Sequence, residues 1–226
     1  MIKVLITHPY GNSHDQIRQT PQEKGIWGNC QFFINESIES CDFWFILDNL
    51  PNECSTFSNN LPVFITIETP SIRPNINDRF LAQFEKVISY GRDLNHPCVI
   101  DTISPSTWLI GEYTKPHKIY DDFVSPIPQS NKNKLISVVS SNKSFTHGHR
   151  KRLKFVKILR NHFGENIDVY GRGINSFPDK WDVTVPYKYH VSLENSSCRN
   201  YPNIVRRYIY RIQMNRLQNT LVRQAH

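Results

Sequence analysis

Lys134-Leu-Ile-Ser-Val-Val-Ser140, Ser141-Asn-Lys-Ser-Phe-Thr-His-Gly148, His149-Arg-Lys-Arg-Leu-Lys-Phe-Val-Lys-Ile-Leu-Arg-Asn-His162 and Ile167-Asp-Val-Tyr170-Gly-Arg-Gly173 follow one another within one stretch of the chain. The first segment is a short run rich in β-branched residues, as a buried strand requires, and the second is polar. In the third, Leu153, Val156 and Leu159 share one face of a helix spanning about His149 to His162. Arg150, Lys151, Lys154 and Lys157 lie largely on the other faces. Gly164 supplies a helix stop, and Ile167 to Tyr170 reads as the next strand. Strand, loop, helix and strand in this order predict a βαβ unit and a parallel sheet.

Working outward, the first half repeats the theme with shorter elements. Lys3–Thr7, Phe43–Leu47 and Val63–Ile67 are apolar runs of strand type, the second ended by Asp48-Asn-Leu-Pro51. Asn77-Asp78 can cap a helix over Arg79–Lys86, where Phe80, Leu81, Phe84 and Val87 fall at helical spacing, and Val87–Tyr90 reads as a further strand. Residues 114–133, rich in Pro and polar side chains, form the expected hinge.

The chain has 226 residues, 38% hydrophobic and 21% charged, with 14 Pro and 9 Gly, which suits a packed core and excludes a collagen-like, coiled-coil or disordered chain. The longest purely apolar run, Phe43 to Leu47, falls far short of the roughly 20 residues that span a bilayer. The opening Met1-Ile-Lys-Val-Leu-Ile6 lacks the apolar region of a signal peptide. Five scattered cysteines without a Cys-x-x-Cys pair read as reduced thiols in a cytoplasmic protein. Charge divides at the hinge. Residues 1–130 hold 9 Lys+Arg and 15 Asp+Glu, a net of −6, whereas residues 131–226 hold 18 and 5, a net of +13. The second half is therefore expected to meet an anion: phosphate, nucleic acid or an acidic membrane surface.

Four places carry groups able to do chemistry. The loop at 140–150 gathers Ser140, Ser141, Asn142, Lys143, Arg150 and Arg152 where a strand's carboxyl end meets a helix N-terminus, the usual phosphate position of open α/β sheets. It carries neither Gly-x-Gly-x-x-Gly nor a P-loop, so a solvated basic helix face stays open. Glu68 follows an apolar strand and precedes Thr69-Pro70, a placement that suits a general base and equally a surface turn. His147 and His149 are too few for a metal centre, and the adjacent Arg150, Lys151 and Arg152 oppose a cation. Tyr187-Lys-Tyr-His-Val-Ser-Leu-Glu-Asn-Ser196 alternates like a strand and ends in polar groups able to grip sugar hydroxyls or a nucleotide.

This last stretch resembles the signature of the glycosyltransferase family 10 α-1,3/1,4-fucosyltransferases, a Tyr-Lys-Phe run ending in Glu-Asn-Ser. Lys134 to Gly173 resembles the segment that precedes it in that family, and Ile67-Glu-Thr-Pro-Ser71 resembles its acceptor-side motif. The likeness, read from about residue 40 to Tyr201, implies an α/β GT-B-like fold of two Rossmann-like domains facing across a cleft. It also implies inverting transfer from GDP-fucose to a glycan acceptor containing N-acetylglucosamine or glucose, with no metal or other cofactor. By the same resemblance Glu68 is the candidate catalytic base and Arg152, seven residues before Leu159, the arginine on the diphosphate. Arg150 is the reserve, Asn142 and Lys143 belong to the donor loop, and Glu194, Asn195 and Tyr201 match nucleotide- and sugar-contacting positions.

After Tyr201 the pattern departs, since the family's Glu and Lys positions hold Ile204 and Val205. The expected organisation is an acceptor-side domain over 1–125 and a partial donor domain over 131–226, incomplete at its end, with an atypical basic tail at 202–226. Residues 199–226 carry six Arg and no acidic residue. A non-enzymatic anion-binding module, peripheral at an acidic membrane surface or on nucleic acid, is the alternative reading; the family resemblance itself implies no nucleic-acid partner.

Overall fold

The computed structural model describes residues 1–10, 16–49, 62–70, 72–73, 75–89, 93–102, 109–124 and 132–193. Two mainly parallel sheets organise them. The first holds seven strands: β1 (Ile2–Thr7), β2 (Ile26–Trp27), β3 (Cys30–Ile34), β4 (Phe43–Leu47), β5 (Val63–Ile65), β6 (Lys86–Ser89) and β7 (Val99–Asp101), in the order β2-β3-β1-β4-β5-β6-β7. Only β2 runs antiparallel to its neighbour. The chain leaves β1 for β3 on one side and then returns to β4 on the other. The strand order thus reverses between β1 and β4, and in open α/β sheets such a switch point is where the ligand crevice lies.

The core of this sheet is aromatic. Leu5, Trp44, Ile46, Phe64, Leu81, Phe84 and Val87 are buried together. Phe64 stacks on Phe84 at 5.0 Å and meets Phe80 edge-on at 5.2 Å. The spacing of Phe80, Leu81, Phe84 and Val87 therefore reports a shared core, not the helix over Arg79–Lys86 that it predicted. Helix α1 spans only Asp78–Leu81, capped by Asn77, whose side chain accepts from the Arg79 amide. The chain must turn at once, because the Glu85 amide donates to the Pro62 carbonyl and β6 starts at Lys86. The expected strand Val63–Ile67 likewise stops at Ile65. Strands β2, β3 and β7 were not foreseen: β2 has two residues, β7 three, and Cys30-Gln-Phe-Phe-Ile34 lacks alternation.

The second sheet holds β8 (Lys134–Val139), β9 (Ile167–Tyr170) and β10 (Tyr187–Val191), all parallel, in the order β10-β8-β9. The long helix of this chain, His147–Phe163, joins β8 to β9 and packs Val156 and Leu159 against Ile136, Val138, Ile167 and Val169. Thr146 caps it, its hydroxyl accepting from the His149 amide, so the helix begins two residues before the expected His149. With β8 central and its neighbours reached from opposite directions, its carboxyl end is a second switch point, where such sheets place a ligand crevice.

The segment expected to be a hinge is tied down in its described part. Helix α2 (Tyr120–Val124) lies within it, and the long helix above is α3. Buried Arg18 donates to the Lys118 carbonyl at 2.7 Å, and His117 meets Glu23 at 2.6 Å. From the other side, the buried Asp179 carboxylate accepts from the amides of Gly111 (2.7 Å), Tyr113 (2.9 Å) and Trp181 (2.6 Å). No described helix is long and apolar enough to cross a membrane.

Inside the second sheet His190 stands beside Ser137 in register, its Nδ1 2.8 Å from the Ser137 hydroxyl oxygen. Burial, with Lys180 nearby, pushes its pKa down to about 4 from 6.5. The folded ring stays neutral where the unfolded chain takes up a proton, so stability is complete above 6.5 and lost as pH falls towards 4. Between pH 7.5 and 5.0 wild type is expected to lose about 2 kcal/mol through this residue. Urea unfolding of wild type and His190→Gln at both pH values checks it; equal acid losses in the two proteins would contradict the assignment.

Candidate functional site

The first crevice is built from side chains that finish the strands. Asp48, one residue past β4, has φ 56°, a left-handed conformation that Asp tolerates better than most residues. Its amide still donates to the Ile65 carbonyl at 2.9 Å, but the backbone then turns away and the side chain replaces the ladder. Oδ1 accepts from the Ile67 amide at 2.7 Å and the Glu68 amide at 3.2 Å, while Oδ2 accepts from the Glu68 amide at 3.1 Å. This exchange of partners ends the β4–β5 pairing at Ile65, while on the other side the Thr66 amide still donates to the Ile88 carbonyl of β6 at 3.0 Å. Tyr10, three residues past β1, donates its phenol hydrogen to Asp48 Oδ2 at 2.5 Å, and Arg73 donates to the Asp48 carbonyl. Next to them, buried His8 accepts from the Tyr10 amide at Nδ1. Glu68, half-buried, therefore sits among Tyr10, Asp48 and Arg73.

The sequence singles out Glu68 as a candidate, whereas Asp48 reads there only as part of the turn that ends β4. The signal was present, since each carboxylate follows an apolar strand in the same way.

The second crevice lies past β8. Arg152, 7% exposed, reaches back from α3 and donates through Nη2 to the Ser141 carbonyl and hydroxyl, both at 3.1 Å. Burial lowers its pKa from the usual arginine value, yet a guanidinium keeps its charge at neutral pH. Arg152 is thus a buried cation at the strand end, unlike the solvated Lys151, Lys154 and Lys157 beside it. Arg150 is exposed and donates to the Ser144 and Phe145 carbonyls. Lys143 lies 5.8 Å from the centre of the Phe145 ring, and the Asn142 amide donates to the Arg172 carbonyl at 3.0 Å. The structure thus brings Asn142, Lys143, Arg150 and Arg152 to one loop and helix end. His149 is buried beside Thr146, and burial, then Arg152 and Lys143, lowers its pKa. Glu194, Asn195 and Tyr201 lie outside the described residues, as does the tail 202–226.

The turn after β9 presses on this loop. A Cβ on Gly171 (φ +145°) would lie 2.0 Å from the Ser140 carbonyl oxygen, and one on Gly173 (φ +76°) 2.1 Å from Asn142 Nδ2. Gly171 is therefore a packing requirement of the Ser140 backbone, whereas at Gly173 the left-handed backbone calls for glycine and the Asn142 side-chain end can move aside. Elsewhere, where the Asp179 turn meets residues 109–113, Leu109, Tyr113, Phe177 and Lys180 help line a pocket of about 220 Å³. It holds none of the residues that the sequence singles out.

Residues 129–210 match the family model of glycosyltransferase family 10 (fucosyltransferase), C-terminal part. No curated protein and no solved structure matches the chain. The family-10 segment takes in β8, α3, β9 and β10, and supports a fucosyltransferase-like glycosyltransferase. The match ends at Tyr210 and so corrects the sequence reading, which closed the likeness at Tyr201. The crevice of Tyr10, Asp48 and Glu68 lies outside the family-10 match.

Gly171→Ala is expected to cost about 3 kcal/mol, combining unfavourable backbone with a backbone clash. Gly28→Ala, where φ is +61° but nothing lies within 4 Å of the new Cβ, should cost only about 1 kcal/mol. Urea midpoints of the two variants check this; equal losses would mean that the turn yields freely.

Proposed function

We propose that the protein is a fucosyltransferase-type glycosyltransferase, moving fucose from GDP-fucose to a glycan containing N-acetylglucosamine or glucose with inversion at the anomeric carbon. The observation that carries this reading is the family-10 match over 129–210. Two features of the second crevice support it physically. Arg152 offers a fixed cation at the end of β8, and the N-terminus of α3 offers free amides and the positive end of its dipole. Together they suit the diphosphate of a departing GDP, with Asn142, Lys143 and Arg150 around it and Glu194, Asn195 and Tyr201 assigned by resemblance.

In the proposed reaction the acceptor hydroxyl gives its proton to the Glu68 carboxylate as its oxygen bonds to the anomeric carbon of fucose. The bond from that carbon to the GDP oxygen breaks, and GDP leaves with the electron pair. Charge on the leaving group is met by Arg152 and the helix end. No metal takes part in this scheme, so a chelator should leave turnover unchanged.

Transfer from GDP-fucose to an N-acetyllactosamine acceptor is the expected activity. Glu68→Ala should lower it about 100- to 10,000-fold with GDP affinity by calorimetry intact. Arg152→Ala should weaken GDP binding about tenfold or more. Undiminished transfer in Glu68→Ala removes Glu68 as the base. Equal affinity for GDP, UDP and single-stranded RNA contradicts the donor assignment and favours a general anion-binding surface.

A further inference from the structure

We propose that Asp48 is a positioning residue of the acceptor side, anchoring the backbone of Glu68 and fixing the Tyr10 hydroxyl so that its oxygen accepts a hydrogen bond from the glycan. The inference rests on the reading of Glu68 as the base. Asp48 is 1% exposed, and each of its carboxylate oxygens is committed, to the Ile67 and Glu68 amides and to Tyr10. A buried carboxylate is costly unless its lone pairs are filled, and these three donors fill them. The arrangement therefore fixes what the donors do. The Glu68 amide cannot drift without stranding a buried charge.

The phenol tells the same story from the other side. Tyr10 is 40% exposed as a residue, and its phenol hydrogen is given inward to Asp48. An oxygen whose only hydrogen is committed can meet an outside partner only as an acceptor. Sugar hydroxyls are the donors that fit such a group. Burial, the Asp48 bond and the charges of Asp48 and Glu68 all hold the phenol protonated, with Arg73 opposing, so the donation to Asp48 persists at neutral pH. The crevice at β1, β4 and β5 thereby offers a base and a hydrogen-bond acceptor to the same ligand.

Two variants of the full chain test this. Asp48→Asn keeps the shape but turns one acceptor oxygen into a donor. With far-UV circular dichroism and the amide exchange of β1 and β4 unchanged, the Ile67 and Glu68 amides should exchange about tenfold faster. The Tyr10 phenol, followed by its ring-carbon resonance, should titrate lower, and kcat should fall about tenfold at constant GDP affinity. Tyr10→Phe should keep both amides protected and raise the acceptor KM about fivefold with kcat nearly constant. Unchanged exchange at Ile67 and Glu68 together with an unchanged phenol in Asp48→Asn overturns the proposal, as does an unchanged acceptor KM in Tyr10→Phe. The last outcome decides even if Asp48→Asn does not fold. Should Glu68→Ala retain full transfer, the base assignment fails by itself, while exchange and titration still report whether Asp48 holds the strand end.

Discussion

Strands that run parallel all leave their sheet at the same edge, and the last amides and carbonyls there must find partners other than the next strand. In this chain buried charged side chains do that closing. Asp48 takes over from the ladder between β4 and β5 by accepting the Ile67 and Glu68 amides, and Arg152 donates to Ser141 where β8 ends. One edge is closed by an anion and the other by a cation. That difference fits the division of charge between the halves, and the proposed function draws on it, with the acidic end taking the hydroxyl's proton and the basic end holding phosphate.

The same device joins the two sheets. Asp179 belongs to the turn between β9 and β10, yet two of the amides it accepts, those of Gly111 and Tyr113, belong to the segment leading out of the first sheet. Lys118 and Phe123 pack around the Trp181 ring next to it, at 5.3 Å and 5.8 Å. Arg18 holds the other end of that segment through the Lys118 carbonyl. The described start of a stretch whose Pro and polar residues suggest a loose linker is thus held between buried Asp179 and buried Arg18, which local composition cannot reveal.

The long βαβ unit was legible because its signals agree: β-branched residues in Leu135–Val139, a three-residue apolar stripe on α3 and a glycine at its end. The short elements were not. Phe80, Leu81, Phe84 and Val87 have helical spacing, but a single helical turn, a turn residue and a strand bring them to one core. Val63–Ile67 reads as five strand residues, and only the distant Asp48 carboxylate shows why pairing with β4 stops at Ile65. Among the candidate residues, Glu68, Asn142, Lys143, Arg150 and Arg152 were visible as chemistry placed at strand and helix ends. Asp48 and Tyr10 were hidden inside turn signals, because their role depends on strands far apart in sequence meeting at one edge.

In the proposed function the end of β8 and the start of α3 receive the diphosphate of GDP. Amide and guanidinium resonances of isotope-labelled protein, followed during a GDP titration, test it most directly. Saturating shifts are expected at Ser141, Asn142, His147, Gly148 and the Arg152 side chain, with Lys134 at the opposite end of β8 unmoved. Shifts confined to the exposed Lys151, Lys154 and Lys157, or absent from the β8 edge altogether, would contradict it.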